Sequence, residues 1–237
     1  MKLPSPNSNK KLEISIGEKV VKRYPVRTKL IVNGDDVVQV VSSVVNPLKD
    51  LVDDGHRVVV VGEKAVAASQ GRAFLMDDIK PSKLAKFLAR FVTKTKAGIG
   101  LGMPETMELA LKDVGVPRIV LAFFVAAVTK PLGIKGMFYR VAGSKARGID
   151  GPTPYTIPPY NQSAVLVPDD PGKVAKQISK SISLPVVIID ANDIGQNVLA
   201  SYGLSGKDTE TLRRAFADNP LGQSTEQTPV ALVTWND

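Results

Sequence analysis

Residues 183–197, SLPVVIIDANDIGQN, pass directly from an apolar stretch into acids and amides. The β-branched run before Asp190 is typical of a strand that is covered on both faces. Asp190, Asn192 and Asp193 then follow within four residues. Such side chains form turns by hydrogen bonding to nearby backbone, and they also bind cations at strand ends in mixed α/β architectures. The residues alone leave both interpretations open.

Strand and helix patterns alternate irregularly along the rest of the chain. Strand patterns occupy residues 24–32, 56–64, 135–142, 163–168 and 228–235. Helix patterns occupy residues 34–45, the stretch after Pro81, residues 104–114, and stretches that begin at Arg118, at Asp170 and at Asp208, which we expect to cap a helix through Ala217. Because there is no regular βαβ repeat, the pattern favours an α+β fold with mixed sheets and packed helices over a doubly wound fold.

The length of 237 residues suits one large domain or two small ones. Residues 1–12 are rich in Pro, Ser, Asn and Lys and lack an apolar stretch, so we expect a flexible N-terminal tail. No clear linker follows, and residues 13–237 are therefore predicted to form a single catalytic domain.

Composition excludes several kinds of site. The chain has no cysteine, which rules out disulfides and thiolate metal sites, and its single histidine, His56, cannot supply a multi-histidine zinc site. A metal must rely on oxygen ligands, which points to magnesium, manganese or calcium. The formal charge is +8, but the Lys and Arg residues are dispersed and aromatic residues make up only 5%. We therefore expect small anionic ligands rather than a nucleic-acid partner.

The most apolar segment, residues 119–128, is only ten residues long. That length is too short to cross a bilayer, so we predict a buried or interface helix and no membrane partner. With no targeting pattern and no cysteine, the simplest expectation is a cytoplasmic protein.

Five short motifs follow one another along the chain. They are Leu30, Ile31, Gly34, Asp35 and Asp36; Glu63, Lys64, Gln70, Gly71 and Arg72; Gly148, Ile149 and Asp150; Asp190, Ala191 and Asn192; and Leu221, Gly222, Gln223, Thr228 and Pro229. In this order they resemble the motifs of the γ-glutamyl ligase family of the deazaflavin coenzyme F(420). The resemblance extends from about residue 24 onward. It also implies that the α+β fold forms an intertwined homodimer.

The resemblance implies a site for a nucleotide and metal ions. In the family, acids matching Asp150 and Asp190 bind divalent ions, Mn²⁺ or Mg²⁺, which hold the phosphates of GTP. Gly222 and Gln223 match a segment that contacts metal and nucleotide, with Gln223 as a metal ligand. Further nucleotide contacts are implied for Leu30, Ile31, Glu63, Lys64 and Thr153.

Two departures from the family pattern concern the chemistry directly. Ala68 stands where a lysine is usual, so we assign that charge, as a catalytic residue, to Lys64 four residues earlier. Ala191 stands where the family has a threonine. Asp193 or Glu226 would then complete the metal site.

Other departures concern the acceptor. Thr153 replaces the family's asparagine, and residues 99–135 look like a diverged or inserted helical section. We expect this section and the proline-rich loop 151–161 to frame the acceptor pocket, with Tyr155 and Tyr160 available for stacking. Arg147 is then a catalytic candidate that attracts the acceptor's carboxylate or phosphate.

The activity implied by the resemblance is amide-bond formation between L-glutamate and a carboxylate of a coenzyme F(420) precursor. GTP would activate the carboxylate as an acyl phosphate, which the glutamate amine then attacks. Two alternatives stay open: the same chemistry on another small carboxylate acceptor, or a nucleotide-binding homologue without turnover. The sequence does not distinguish GTP from ATP.

Overall fold

The computed structural model describes residues 2–52, 55–92, 100–192 and 195–236. Asp193, which the sequence suggests as a metal ligand, lies outside the described residues. The chain forms two compact units. The sheet unit comprises Met1–Gly71, Tyr155–Ile157 and Pro168–Asp237, and the helical unit comprises Arg72–Pro154 and Pro158–Val167. The single domain over residues 13–237 stays a prediction.

The strands of the described residues are short and fall mainly in the sheet unit. They are β1 (Glu13–Ile16), β2 (Lys19–Val26), β3 (His56–Gly62), β4 (Ala73–Leu75), β5 (Ser163–Val165), β6 (Val186–Asn192), β7 (Gly195–Tyr202) and β8 (Val230–Trp235).

The α-helices are divided between the two units. They are α1 (Val37–Val45), α2 (Glu63–Ser69), α3 (Lys83–Ala89), α4 (Pro104–Asp113), α5 (Val116–Thr129), α6 (Met137–Ala142), α7 (Ser144–Arg147), α8 (Pro171–Ile182) and α9 (Gly206–Ala215). No helix within the described part of the chain is long and apolar enough to cross a membrane.

Six strands of the sheet unit form one mixed sheet in the order β1-β2-β8-β3-β6-β7. β3 and β6 run parallel, and the other neighbouring pairs are antiparallel. In the helical unit, β4 and β5 form a separate antiparallel pair. Mixed pairing combined with packed helices confirms the predicted α+β class. The intertwined homodimer stays a prediction.

The valine run of β3 shows why its sequence lacks the alternation of a half-exposed strand. Val59 and Val61 belong to a core cluster that includes residues of α1 and α8. Val58 and Val60 belong to a different cluster, which includes residues of α9. Both faces of the strand are covered, so apolar residues are required at successive positions.

The helical unit has its own core, built from the buried sides of α3 to α7. Ile119 and Ala122 of α5 are fully buried in it. The opposite side of α5 carries Leu121, Phe124 and Val128, which are 56%, 61% and 67% exposed. These three residues are called the apolar face of α5 below. The predicted interface or core helix is therefore buried on one side only.

The predicted strand over residues 135–142 is wrong, because Met137–Ala142 form α6. Short apolar runs rich in aromatic residues fit a strand and a buried helix equally well. Packing decides between them here, since Phe138 and Tyr139 pack against the helical core and Ala142 is buried in it.

Two predicted boundaries are also corrected. The strand expected over residues 24–32 is β2, which ends at Val26. Helix α9 has Ser205 rather than Asp208 as its N-cap and ends at Ala215. Asp208 lies in the first turn, where its backbone N–H donates to Ser205 Oγ at 3.1 Å and its carboxylate accepts from the same hydroxyl at 2.6 Å. The bond to Ser205 Oγ is half of a capping box, and the carboxylate of Asp208 accepts from the serine hydroxyl rather than from the N-cap backbone N–H.

Candidate active site

The register of the sheet brings four chain segments to one end. Gly62 at the end of β3 pairs with Ile189 of β6, and Val230 at the start of β8 pairs with both Val61 and Val26. The segments that follow β2, β3 and Ile189 and the segment that precedes β8 therefore lie at the same end of the sheet. We call this the site end of the sheet. Seven predicted site residues lie on these segments: Leu30, Ile31, Glu63, Lys64, Asp190, Gly222 and Gln223.

Strand β6 does not stop at Asp190 but continues to Asn192 and forms a hairpin with β7. Asn192 Oδ1 accepts a hydrogen bond from the Gly195 backbone N–H at 3.0 Å, which is the turn role that the sequence allowed. A shift in the β6–β7 register lies between Ile188 and Ile189, directly before Asp190. Such irregularities re-aim the side chains that follow.

The carboxylate of Asp190 has an amide beside it. Asn192 Nδ2 lies 3.4 Å from Asp190 Oδ1, and both residues are half-buried. The turn interpretation thus explains the position of Asn192. Asp190 is half-buried at the site end of the sheet, where cation binding stays a prediction. Hard divalent cations take carboxylate and amide oxygens of this kind as ligands.

Residues 219–228 form a tightly bonded loop before β8, called the site loop below. Gly222 has φ +80°, and a Cβ there would lie 2.7 Å from Glu226 Cδ. The carboxylate of Glu226 accepts hydrogen bonds from the backbone N–H and the hydroxyl of Ser224, at 2.8 and 3.1 Å. Glu226, considered above as a metal ligand, therefore closes the loop over Gly222, which explains the requirement for glycine.

Two polar side chains of the site loop have a buried atom without a hydrogen-bond partner among the described residues: Gln223 at Nε2 and Asn219 at Oδ1. Thr156, from the proline-rich loop after Asp150, donates its hydroxyl to the Gln223 carbonyl oxygen at 3.4 Å. A buried donor without an acceptor is unusual in folded proteins and marks a position where a ligand can complete the bonding.

The segment after β2 combines predicted nucleotide contacts with structural acids. Ile31 is buried and Leu30 is half-buried. Asp35 forms an ion pair with Lys29 and accepts from the Val32 backbone N–H at 2.8 Å. The hydrogen bond from Lys29, followed by that from Val32, lowers the pKa of Asp35 below its ordinary value.

The second acid of the same motif caps a helix. Asp36 Oδ1 accepts from the backbone N–H groups of Val38 and Gln39, at 2.9 and 3.1 Å, at the start of α1. This is the bonding expected of an N-cap aspartate. Both acids of this motif therefore have structural roles in the sheet unit.

Helix α2 places Glu63 and Lys64 directly after β3. Glu63 is buried, Lys64 is exposed, and Ala68 is buried one turn further on. Since residues four apart lie on the same side of a helix, Lys64 can bring a charge to the side on which the family has its lysine.

The glutamine and glycine after α2 hold the chain in place. The Gln70 amide exchanges two hydrogen bonds with the Asp169 backbone, at 2.8 and 2.9 Å. Gly71 has φ +70°, and a Cβ there would lie 2.5 Å from Asn33 Oδ1. The motif residues Gln70 and Gly71 thus join three segments of the sheet unit.

The helical unit holds the remaining predicted residues. Asp150 exchanges two backbone hydrogen bonds of 2.9 Å with Val165, and its side chain is half-buried. At Gly148 a Cβ would lie 2.2 Å from Val167 Cγ2, so the glycine of this motif permits a close approach. Arg147 is exposed at the end of α7, and Thr153 is half-buried in the loop that follows Asp150.

Arg147 also influences a neighbouring phenol. Burial raises the pKa of Tyr139, while a hydrogen bond with the Leu101 backbone and the charge of Arg147 act against the rise.

Asp150 and Asp190 belong to different units, and their shared metal site stays a prediction. Among the residues that the structure describes, no group of three or more His, Asp or Glu side chains is arranged to hold a metal ion.

Sequence reasoning missed the buried cation that supports the site loop. Arg23 is completely buried, forms an ion pair with Asp218, and donates to the carbonyl oxygens of Ala215 and Lys11, both at 2.6 Å. One feature of the sequence indicates that Arg23 is buried. Alternate residues of a strand share a face, and Arg23 lies two residues from both Val21 and Pro25, which are buried.

A comparison with known families identifies the class of protein. The family model described as F420-0:Gamma-glutamyl ligase matches residues 25–234. The match covers most of the chain, which therefore belongs to this ligase family, as the ordered motifs predicted. No curated protein matches the chain.

Proposed function

We propose that the protein is a GTP- and divalent-metal-dependent ligase that joins L-glutamate to a carboxylate of a coenzyme F(420) precursor. The family match over residues 25–234 carries this proposal. It is supported by the sheet register, which brings predicted nucleotide residues from three segments and the predicted metal ligand Asp190 from a fourth to one end of the sheet.

The donor chemistry at the site end suits a cation that is bound together with a nucleotide. Asp190 would hold the ion in the sheet unit, with Gln223 close to the nucleotide, and Asp150 is the proposed ligand from the helical unit. Magnesium in phosphoryl-transfer enzymes is bound by one or two carboxylates together with substrate phosphates and water, so a cluster of three acids is not required. When bound, the metal would neutralise phosphate charge during transfer.

The proposed reaction has two steps. The acceptor carboxylate attacks the γ-phosphorus of GTP, which gives an acyl phosphate and GDP. The unprotonated amine of glutamate then attacks the acyl carbon, and inorganic phosphate leaves as the amide forms. The chain mainly positions the reactants: Lys64 would balance charge on the transferred phosphoryl group, and Arg147 would attract the acceptor's anionic group.

A measurement of phosphate release tests the proposal. Purified protein is incubated with GTP and Mn²⁺, and glutamate and the deazaflavin precursor are added separately and together. We expect release to require both substrates and the product to carry an added glutamate by mass spectrometry. The proposal is wrong if nucleotide and metal bind but neither product forms.

A nucleotide-binding protein without turnover is the second candidate function. The observation that favours it is the loss of two polar side chains, since Ala68 is buried and Ala191 replaces a threonine. Stabilisation by GTP with Mn²⁺, without phosphate release for any carboxylate acceptor, would support this function. Release with a different acceptor would instead support a ligase of altered specificity.

We further propose a homodimer that buries the apolar face of α5. Phe123, which neighbours this face, makes ring contacts with Phe87 and Phe91 at 6.1 and 5.3 Å, and these two residues are 50% and 55% exposed. Exposed apolar surface that extends over two helices is typical of a protein–protein contact.

A further inference from the structure

The N-terminal residues lie outside the part of the chain that matches the family, yet they pack onto the sheet unit. Leu3 and Leu12, both partly buried, pack against the core cluster that contains α1 and α8. The Leu12 carbonyl oxygen accepts from the Arg23 backbone N–H at 2.8 Å. Residues 2–12, expected from their composition to form a flexible tail, thus make specific contacts, and we call them the N-terminal arm.

Asn7 of this arm bonds to the site loop. Its Nδ2 atom donates to the carbonyl oxygen of Pro220 at 2.9 Å and to Thr228 Oγ1 at 2.8 Å. Thr228 Oγ1 in turn donates to the carbonyl oxygen of Leu221 at 2.7 Å. Since the hydroxyl proton is used on Leu221, Asn7 must act as the donor, which fixes the orientation of its amide.

These three hydrogen bonds hold the two residues that immediately precede the predicted ligand-binding pair. The carbonyl groups of Pro220 and Leu221 are restrained, and Gly222 and Gln223 follow directly. Among the described residues, the side chains that donate to these two carbonyl groups are Asn7 of the arm and Thr228 of the loop itself. A shift of the arm would therefore be passed to Gly222 through the backbone.

We propose that Asn7 is a positioning residue: through Thr228 it fixes the site loop in the conformation that binds the nucleotide phosphates. The role in binding rests on the proposed function, whereas the mechanical link between arm and loop does not. Asn7 acts through the loop and does not itself contact the reacting atoms.

Hydrogen–deuterium exchange of the full chain tests the link. Asn7→Ala removes two hydrogen bonds and is expected to raise exchange of the backbone amides in residues 219–228 at least about tenfold, the low end of what two lost hydrogen bonds contribute. Exchange in β3 and β8 should stay unchanged. The matched control is Ser8→Ala, which alters the adjacent exposed side chain and should leave the site loop as it is in the parent. Unchanged exchange in Asn7→Ala, or an equal rise throughout the sheet unit, would overturn the proposal.

A second pair of variants tests the relay without altering the arm. Thr228→Val removes the hydroxyl and should loosen residues 219–228 as Asn7→Ala does, while Thr228→Ser keeps the hydroxyl and should restore parental exchange. If Val and Ser variants exchange alike, the hydroxyl relay is not what holds the loop, and the proposal fails.

Kinetics then connect the link to binding. Asn7→Ala should raise KM for GTP about tenfold and leave kcat within about twofold, because a loosened loop weakens nucleotide binding in ground state and transition state alike. A fall in kcat with KM unchanged would overturn the positioning role. If the parent protein shows no ligation, the proposed function fails while the exchange results still decide the link.

Discussion

The sheet unit and the helical unit organise their predicted site residues in different ways. In the sheet unit, the register of β2, β3, β6 and β8 places four segments at one end, so residues distant in sequence meet by strand pairing alone. In the helical unit, Arg147, Asp150 and Thr153 occupy one short stretch that begins at the last residue of α7. Large apolar side chains of α5 face outward there. The sheet unit thus carries the residues proposed to bind the nucleotide, and the helical unit carries those proposed to act in acceptor recognition and assembly.

The largest expected effect concerns the support of the site loop in the sheet unit. Arg23→Met removes a fully buried cation and leaves Asp218 and two carbonyl groups without their donor. We expect a loss of about 3 kcal/mol in the free energy of unfolding, because two carbonyl groups each lose a hydrogen bond from a charged donor, at about 1.5 kcal/mol per bond, whereas the Asp218 side chain is 39% exposed and can be hydrated. Urea denaturation followed by the fluorescence of Trp235, the chain's single tryptophan, reports on this unit.

The matched control is Arg213→Met. Arg213 pairs with Glu210 on the exposed side of α9, through hydrogen bonds of 2.6 and 2.7 Å. Exposed pairs contribute little, so this variant should unfold nearly as the parent does. Equal losses in both variants would mean that burial of Arg23 is not the cause.

The second prediction compares one acid from each unit. Asp190→Asn and Asp150→Asn keep the side-chain shape but remove the charge that a cation needs. Each should weaken Mn²⁺ binding by at least about 100-fold. Loss of a residue that only supports a metal ligand already weakens binding by up to about 100-fold, and loss of a ligand should cost more. Manganese titration in the presence of GTP measures this binding, with Asp50→Asn as a control that removes a carboxylate from an 80% exposed side chain of the sheet unit. If only Asp190→Asn loses binding, the metal site belongs to the sheet unit alone.

The third prediction concerns the close approach at Gly148 in the helical unit. Gly148→Ala introduces a Cβ 2.2 Å from Val167 Cγ2, which should cost about 2 kcal/mol by overpacking. Gly148→Ala combined with Val167→Ala relieves the clash and should recover part of the loss. Thermal unfolding by circular dichroism measures both. No recovery would show that the strain arises elsewhere.

The fourth prediction tests the assembly role of the helical unit. Phe124→Asp places a charge on the apolar face of α5 and should weaken dimerisation at least about tenfold. Light scattering over a concentration series measures the mass. A parent protein that is monomeric at micromolar concentration would contradict the homodimer, and a dimer insensitive to Phe124→Asp would move its interface elsewhere.

The smallest effect is the pH dependence of the exposed pair in the sheet unit. The pKa of Asp35 is lowered in the folded state by the hydrogen bond from Lys29 and then by that from Val32. Its stabilising contribution is therefore present above the unfolded pKa of about 4 and is lost as pH falls through the lower folded pKa. The difference in stability between the parent and Asp35→Asn should shrink below that pH in acid titrations followed by fluorescence. A difference that is constant with pH would exclude the carboxylate as its source.

Much of the strand pattern of the sheet unit could be predicted because a buried strand has a recognisable sequence. The valines of β3 fit a strand covered on both faces, and the β-branched run before Asp190 has the same pattern. The sequence did not reveal that Asn192 would continue β6 into a hairpin, since turn bonding and cation binding use the same side chains. Residues 137–142 became a helix because packing against a core built from distant segments overrides local preference.

Supporting residues were harder to predict than the site residues they hold. Arg23 and Asp218 are 195 positions apart, and Asn7 lies 221 positions from Thr228. No local pattern reports such pairing, because each residue satisfies its partner only after the sheet has formed. The motifs predict which residues bind the ligand, whereas the structure was needed to show what keeps those residues in place.

The central position of β8 has a consequence for the order of folding during synthesis. β8 follows every other described strand in the chain, yet it lies between β2 and β3. Until it leaves the ribosome, β2 and β3 each expose an unpaired edge, and one of them is a run of valines. Such edges invite pairing with other chains. The nascent protein therefore passes through an aggregation-prone stage that ends only when β8 is inserted, and we expect its yield to depend on chaperones more than its final stability suggests.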